Sequence, residues 1–159
     1  MSRRVILDTD TAGDDTTAIL TAIHHFKVEG LTIVSGNISF DQQVENALYT
    51  IEVANPDYDI PVYKGHRDPI MTLEGEKHTT EERIFANDGM GGSNFPKAKQ
   101  RPEKEHAVDF MIRTIKDNPG EIEILAIGPL TNIAMAIKRD PSIVKDIKHL
   151  WIMGGVNHA

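Results

Sequence analysis

Short apolar runs alternate with amphipathic segments along the chain, and this alternation predicts a sheet covered by helices. Five runs rich in Val, Ile and Leu have the length of buried strands: 4–8, 31–34, 60–63, 122–127 and 150–153. Between them, apolar residues recur at helical spacing in 14–28, 39–54, 105–116 and 132–138, and a short helical turn is expected up to residue 147. Alternating strands and helices favour an α/β fold with an open, mainly parallel, Rossmann-like sheet flanked by helices.

Local signals set the expected helix boundaries. Gly30 is predicted to separate the first helix from the second strand. Ser39 and Gln42 have the spacing of a capping box at the start of the second helix, and Asn55, followed by Pro, is predicted to end that helix. From residue 65 to about 105 the chain is polar, contains several prolines and shows weak periodicity, which is typical of a functional loop or a disordered segment.

Composition limits the classes of function. A length of 159 residues predicts one domain, 1–159, and 40% hydrophobic content suffices for a sizeable core. The net charge of −7 argues against a nucleic-acid or anionic-membrane partner, and the absence of cysteine excludes thiol chemistry. Neither a signal peptide nor a membrane span is predicted, so a cytoplasmic location is expected.

Four aspartates occur within eight residues, beginning with the last residue of the first predicted strand: Asp8, Asp10, Asp14 and Asp15. This turn would lie at the carboxyl end of a parallel strand, where open α/β sheets bind ligands. One pair of carboxylates about 4 Å apart repels by roughly 4 kcal/mol at an effective dielectric near 20. A bound divalent cation would offset that repulsion, and oxygen ligands suit Ca²⁺ or Mg²⁺. The simpler alternative is that Asp14 caps the following helix and Asp15 complements its dipole.

Three motifs resemble the nucleoside hydrolase family of the inosine-uridine-preferring type. The first is DTDTAGDD at 8–15, in which Thr11 and Ala12 stand where the family has Pro and Gly. The second is ILAIGPLTNIAMAI at 124–137, and the third is WIMGG at 151–155. The matches extend from Val5 to Gly155 in the family's order and spacing.

The resemblance implies a calcium-dependent hydrolase that cleaves the N-glycosidic bond of ribonucleosides to ribose and free base, as in purine and pyrimidine salvage. Asp10, Asp15 and the backbone carbonyl of Thr131 would bind Ca²⁺. Asp10 would also be the general base toward the attacking water. Asp8, nearer the strand, is expected to orient the turn.

The same resemblance implies where a nucleoside substrate would bind. Asp14 and Asn37 would contact the ribose hydroxyls, and Met153 would border the ribose pocket. Phe85 and Ala86 stand where the family has a His and a Gly near the base, so no histidine contact is predicted there. Phe85 is expected to fix its loop to the core, with stacking on a base as the alternative.

Nucleoside hydrolases are longer chains, and the sequence resembles only their N-terminal half. Their C-terminal half supplies a further Asp ligand and a His near the leaving base, and His158 does not fall on that His. The fold is therefore predicted to be truncated, and the isolated chain to be weakly active or inactive. A sheet that lacks a covering helix exposes an apolar face, which predicts a homo-oligomer or completion by a missing C-terminal segment.

Two other functions fit parts of the pattern. A strand ending in D-x-D is also typical of Mg²⁺-dependent phosphatases of the haloacid dehalogenase type, in which Asp8 would be the nucleophile. The altered Thr11-Ala12 turn also suits a non-catalytic module that binds Ca²⁺ or ribose.

Overall fold

The computed structural model describes residues 2–70 and 85–155 and contains a five-stranded parallel sheet. The strands occur in the order β3-β2-β1-β4-β5, so β1 is central. Their bounds are Arg4–Thr9 for β1, Lys27–Ile33 for β2, Val62–Lys64 for β3, Ile122–Ala126 for β4 and His149–Ile152 for β5. The predicted open parallel sheet flanked by helices is confirmed.

Four helices cover the two faces of the sheet. They are α1 (Gly13–His25), α2 (Phe40–Ala54), α3 (Ala107–Asp117) and α4 (Thr131–Arg139), and a 3₁₀ turn, Pro141–Lys145, follows α4. Helices α1 and α2 pack on one face, and α3, α4 and the 3₁₀ turn pack on the other. Strand β1 serves both cores, since Val5 and Leu7 point to the first and Ile6 to the second.

The predicted boundary between α1 and β2 is wrong. Helix α1 ends at His25 and β2 begins at Lys27, so Gly30 lies inside the strand. A Cβ atom at Gly30 would lie 2.9 Å from Cζ of Phe110 and 3.0 Å from Cε2 of Tyr63. Those two rings stack with their centroids 3.8 Å apart. Glycine occupies this position because two aromatic rings approach the strand closely there.

The predicted capping box at the start of α2 is also wrong. Ser39 does precede the helix, but its side chain makes no capping hydrogen bond. The Gln42 amide instead donates to Oδ1 of Asn46 one turn later, at 3.0 Å. The predicted end of α2 is correct, because Asn55 follows the helix in the left-handed conformation with φ of 45°.

The carboxyl ends of three neighbouring strands meet at one edge of the sheet. Strand β1 pairs in parallel with β2 on one side and β4 on the other. The turns that follow these strands, at 10–12, 34–39 and 127–130, therefore lie next to one another. Within the described part of the chain no helix is long and apolar enough to cross a membrane.

Candidate active site

The structure separates the four clustered aspartates into a buried group and an exposed residue. Asp8, Asp10 and Asp15 are buried, whereas Asp14 is exposed on the first turn of α1. The carboxylates therefore do not all face one point. The three buried side chains have different partners, which define different roles.

Asp15 holds the start of α1. Its Oδ1 accepts a hydrogen bond from the Thr9 hydroxyl at 2.8 Å, and its Oδ2 accepts one from the Ala12 backbone N–H at 3.1 Å. Ala12 is the residue that precedes the helix, so Asp15, and not Asp14, supplies the side-chain contact at this helix start. Burial raises the pKa of Asp15 despite these two donors, and the charge of Asp14 adds to the rise.

Asp10 lies in a cradle formed by the turns after β2 and β4. Its Oδ2 accepts a hydrogen bond from the Asn37 backbone N–H at 3.0 Å. A Cβ at Gly36 would collide with this carboxylate, and a Cβ at Gly128 would lie 2.9 Å from both its Oδ1 and its backbone N. Burial, and next the charge of Asp15, raise the pKa of Asp10 to about 6.

Asp8 is completely buried and points into the protein. Its Oδ1 accepts hydrogen bonds from the Thr32 hydroxyl at 2.6 Å and from the Asn132 side-chain amide at 2.9 Å. Its Oδ2 has no hydrogen-bond partner among the described residues. Burial raises the pKa of Asp8 to about 7 even though both donors lower it. These contacts fit the predicted role of Asp8 in orienting the turn.

The chemistry of Asp10 and Asp15 fits a hard cation. Both carboxylates are buried, and the charge of Asp15 raises the pKa of Asp10. Over residues 2–70 and 85–155, no Lys, Arg or His forms an ion pair with either carboxylate. No three His, Cys, Asp or Glu side chains in those ranges converge as a metal-binding group. Calcium takes about six to eight oxygen ligands, so two carboxylates would supply only part of its shell.

The remaining predicted residues lie around this edge of the sheet. Thr131 is buried at the start of α4, three residues after the glycine that contacts Asp10. The structure brings the backbone of Asn37 to Asp10, while the Asn37 residue as a whole is exposed. Asp14 and Met153 line a shared groove of about 610 Å³ between α1 and β5.

Four polar residues that sequence reasoning left without a role organise this site: Thr9, Thr32, Asn46 and Asn132. The Asn46 amide donates to the carbonyl oxygens of Thr11 at 3.2 Å and Asp88 at 2.9 Å, and so ties the aspartate turn to the loop 85–95. All four of these polar residues are buried on a strand or helix face. Buried polar side chains require partners, so a polar residue at an otherwise apolar position was the available signal.

Phe85 lies beside the start of α1. A Cβ at Gly13 would lie 3.4 Å from Cδ1 of Phe85. This half-buried position fits the expected attachment of the loop, and it also places the ring next to the aspartate turn.

The chain has the open α/β architecture, and its buried carboxylates lie at the carboxyl end of the central strand, where proteins of this class bind ligands. Residues 5–159 match the model of the family described as inosine-uridine preferring nucleoside hydrolase. The chain belongs to this family.

Relatives with described activities match almost the whole chain. It is 37% identical to a probable uridine nucleosidase 1 of Oryza sativa subsp. japonica and 34% identical to a pyrimidine-specific ribonucleoside hydrolase RihB of Escherichia coli, and the two alignments cover 98% and 96% of the chain. The solved structure of a purine-preferring ribonucleoside hydrolase from Gardnerella vaginalis superposes with a TM-score of 0.89 at 33% identity over 97% of the chain. The chain spans about half of their length, namely 48%, 48% and 49%.

Proposed function

We propose that this chain carries the amino-terminal part of a calcium-dependent site that hydrolyses the N-glycosidic bond of ribonucleosides to ribose and free base. The observation that supports this most directly is the burial of Asp10 in a cradle of backbone beside Asp15. Membership of the nucleoside hydrolase family supports the reaction.

Asp10 is the proposed general base. Its carboxylate would take a proton from the water that attacks the anomeric carbon, while the bond to the base breaks through an oxocarbenium-like state. Without a cation, burial raises the pKa of Asp10 to about 6, and a bound cation would favour the ionised carboxylate that can accept a proton. The hydrogen bond from the Asn37 N–H holds Oδ2, and the proton transfer is assigned to the other oxygen, Oδ1.

Asp10, Asp15 and the carbonyl of Thr131 would hold Ca²⁺. When bound, the ion would lower the pKa of a water ligand and so favour hydroxide near Asp10. The hydrogen bonds from Thr9 and Ala12 hold the Asp15 carboxylate at the aspartate turn, which supports this assignment. Calcium remains the proposed ion because the donors are carboxylate and carbonyl oxygens.

The proposed contacts to the ribose are Asp14, Asn37 and Met153. Asp14 is the exposed carboxylate of the cluster, and it shares a groove with Met153. An ionised carboxylate accepts hydrogen bonds from vicinal hydroxyls, which suits a sugar that carries two of them.

We expect the isolated chain to hydrolyse nucleosides weakly or not at all. The chain spans about half the length of its relatives, and the group that assists departure of the base is not among the residues assigned here. We propose that the site is completed by a C-terminal segment or by self-association through the uncovered sheet face. We also propose a cytoplasmic location.

A Ca²⁺- or ribose-binding module without catalysis is the second candidate. The Thr11-Ala12 turn favours it, because these residues stand where the family pattern has Pro and Gly. The phosphatase alternative is not proposed further, since the chain belongs to another family.

Calorimetric titration with Ca²⁺ tests the metal site directly. We expect binding by the wild-type chain and loss of about tenfold or more in affinity in Asp10→Asn and Asp15→Asn. Asp57→Asn, in the exposed turn after α2, is the matched control and should bind like the wild type. No uptake at millimolar Ca²⁺ would overturn the proposed site.

Hydrolysis of uridine and inosine, followed as release of reducing sugar, separates the two candidates. Cleavage abolished by Asp10→Asn supports the hydrolase. Binding of Ca²⁺ and ribose without cleavage supports the module. Ordinary turnover by the isolated wild-type chain would contradict the expected low activity.

A further inference from the structure

Asn132 lies where the ends of three strands meet, and both polar atoms of its side chain, Nδ2 and Oδ1, form hydrogen bonds. It is fully buried as the second residue of α4. Its Nδ2 donates to Oδ1 of Asp8 at 2.9 Å and to the carbonyl oxygen of Ile33 at 3.1 Å. Its Oδ1 accepts from the His66 backbone N–H at 2.9 Å and lies 3.1 Å from His66 Nδ1.

Only one orientation of this amide satisfies its partners. Asp8 Oδ1 and Ile33 O are acceptors in these contacts, and the His66 N–H is a donor. Reversing the amide would place oxygen against oxygen and NH₂ against N–H. Because an amide oxygen can only accept, the contact of His66 Nδ1 with this oxygen is a hydrogen bond in the tautomer that is protonated at Nδ1.

The space around this amide is also closely fitted. Gly65 lies between β3 and His66, and its backbone N–H donates to the Ile33 carbonyl at 2.9 Å. A Cβ at Gly65 would collide with both the Oδ1 and the Nδ2 atoms of Asn132. The amide therefore occupies the room that a side chain at residue 65 would need.

We infer that Asn132 is a positioning residue that joins the end of β1, the end of β2 and the turn after β3 into one arrangement at the candidate site. Asp8 lies two residues before Asp10, and Ile33 lies four residues before Asn37, which contacts Asp10. Asn132 thus acts on the Asp10 cradle from both sides without touching it. Its effect on metal binding and turnover rests on the proposed function, whereas the structural linkage does not.

Amide hydrogen exchange followed by NMR tests the linkage without any ligand. In Asn132→Ala we expect the His66 N–H to lose about tenfold or more of its protection, with chemical-shift changes at Asp10 and Asn37. The matched control is Asn118→Ala, an asparagine at the opposite edge of the sheet. Its Nδ2 donates to Thr114 O at 2.8 Å and its Oδ1 accepts from Arg4 at 2.7 Å.

The control separates positioning from general stability. Asn118→Ala removes the same kind of contacts and should leave the signals of His66, Asp10 and Asn37 unchanged. Equal effects of the two substitutions on these signals, or no effect of Asn132→Ala, would overturn the inference.

His66→Ala provides a milder variant if Asn132→Ala does not fold. His66 is half-buried, and the substitution removes its imidazole while keeping the backbone N–H. We expect faster solvent exchange of the Asn132 side-chain NH₂ protons in this variant. Unchanged exchange of those protons would contradict the proposed network.

Calcium titration of the same variants adds the functional outcome. Asn132→Ala should weaken Ca²⁺ binding about 10- to 100-fold, as is typical for partners outside the metal's own ligands, and Asn118→Ala should not. Absence of Ca²⁺ binding by the wild type would count against the proposed function, and hydrogen exchange would still decide the role of Asn132. Wild-type binding that Asn132→Ala leaves intact would overturn its role at the site.

Discussion

Asp8 is fully buried, and one of its oxygens has no hydrogen-bond partner within residues 2–70 and 85–155. This environment predicts a pH-dependent stability. The pKa of Asp8 is about 7 in the folded chain, against about 3.9 for an unfolded aspartate. Between these values the folded state binds more protons than the unfolded state, so the free energy of unfolding falls as pH rises from about 4 to 7.

Asp8→Asn should remove part of this dependence, because a neutral side chain has no proton to lose. With a chelator present, we expect the variant to gain on the order of 2 kcal/mol relative to the wild type between pH 5 and pH 7.5, or about 4–8 °C in melting temperature. Thermal unfolding followed by circular dichroism across that range measures the difference. Asp57→Asn is the exposed control, and parallel curves for Asp8→Asn and wild type would contradict the prediction.

The roles of single residues were predictable where chemistry is concentrated in the sequence and unpredictable where it depends on three-dimensional neighbours. The aspartate cluster pointed to the carboxyl end of β1, and Asp10 and Asp15 are buried there. The same cluster could not show that Asp15 holds the helix start or that Asp14 is exposed. Nor does anything near Asn132 in the sequence indicate Asp8, which is 124 residues away.

At the scale of elements, the turns after β2 and β4 hold Asp10 by backbone contact, so Gly128 should tolerate no side chain. An added Cβ would lie 2.9 Å from two Asp10 atoms, one of them backbone, which cannot move cheaply. We expect Gly128→Ala to lower the free energy of unfolding by about 1–3 kcal/mol and to weaken Ca²⁺ binding.

Gly154→Ala is the matched control for this substitution, because among the described residues its Cβ would meet only Cγ2 of Ile152, at 3.6 Å. It should change stability by less than about 0.5 kcal/mol. Urea unfolding and Ca²⁺ titration of both variants measure the two effects. Equal stability and equal affinity in the two variants would show that the Asp10 cradle can relax.

The order and type of the elements followed from the hydrophobic pattern, whereas the boundary between α1 and β2 and the capping contact of α2 did not. Gly30 has the sequence character of a breaker, yet its place inside β2 is set by the stacked rings of Tyr63 and Phe110. The Ser39–Gln42 spacing fits a capping box, yet Gln42 donates to Asn46 instead. In both cases a contact made by tertiary packing or by a competing side chain overrides a valid local signal.

At the scale of the whole molecule, the sheet is covered unevenly. On the α1 face, β4 and β5 line the open groove between α1 and β5, and no helix in the described ranges closes it. Trp151, Ile152 and Met153 are 48%, 52% and 62% exposed along this groove. Adjacent exposed apolar side chains of this size are typical of a surface that binds protein.

We therefore expect the isolated chain to self-associate through this groove, and Ile152→Glu to weaken the association. Burying one isoleucine contributes about 1.5–3 kcal/mol, so a buried glutamate should raise the dissociation constant at least about tenfold. Sedimentation velocity at several protein concentrations measures it. Val144→Glu, at a 54% exposed residue of the 3₁₀ turn on the opposite face, is the control and should leave association unchanged. A wild-type chain that stays monomeric at every concentration would contradict the proposed homo-oligomer and leave completion by another segment as the way to cover the groove.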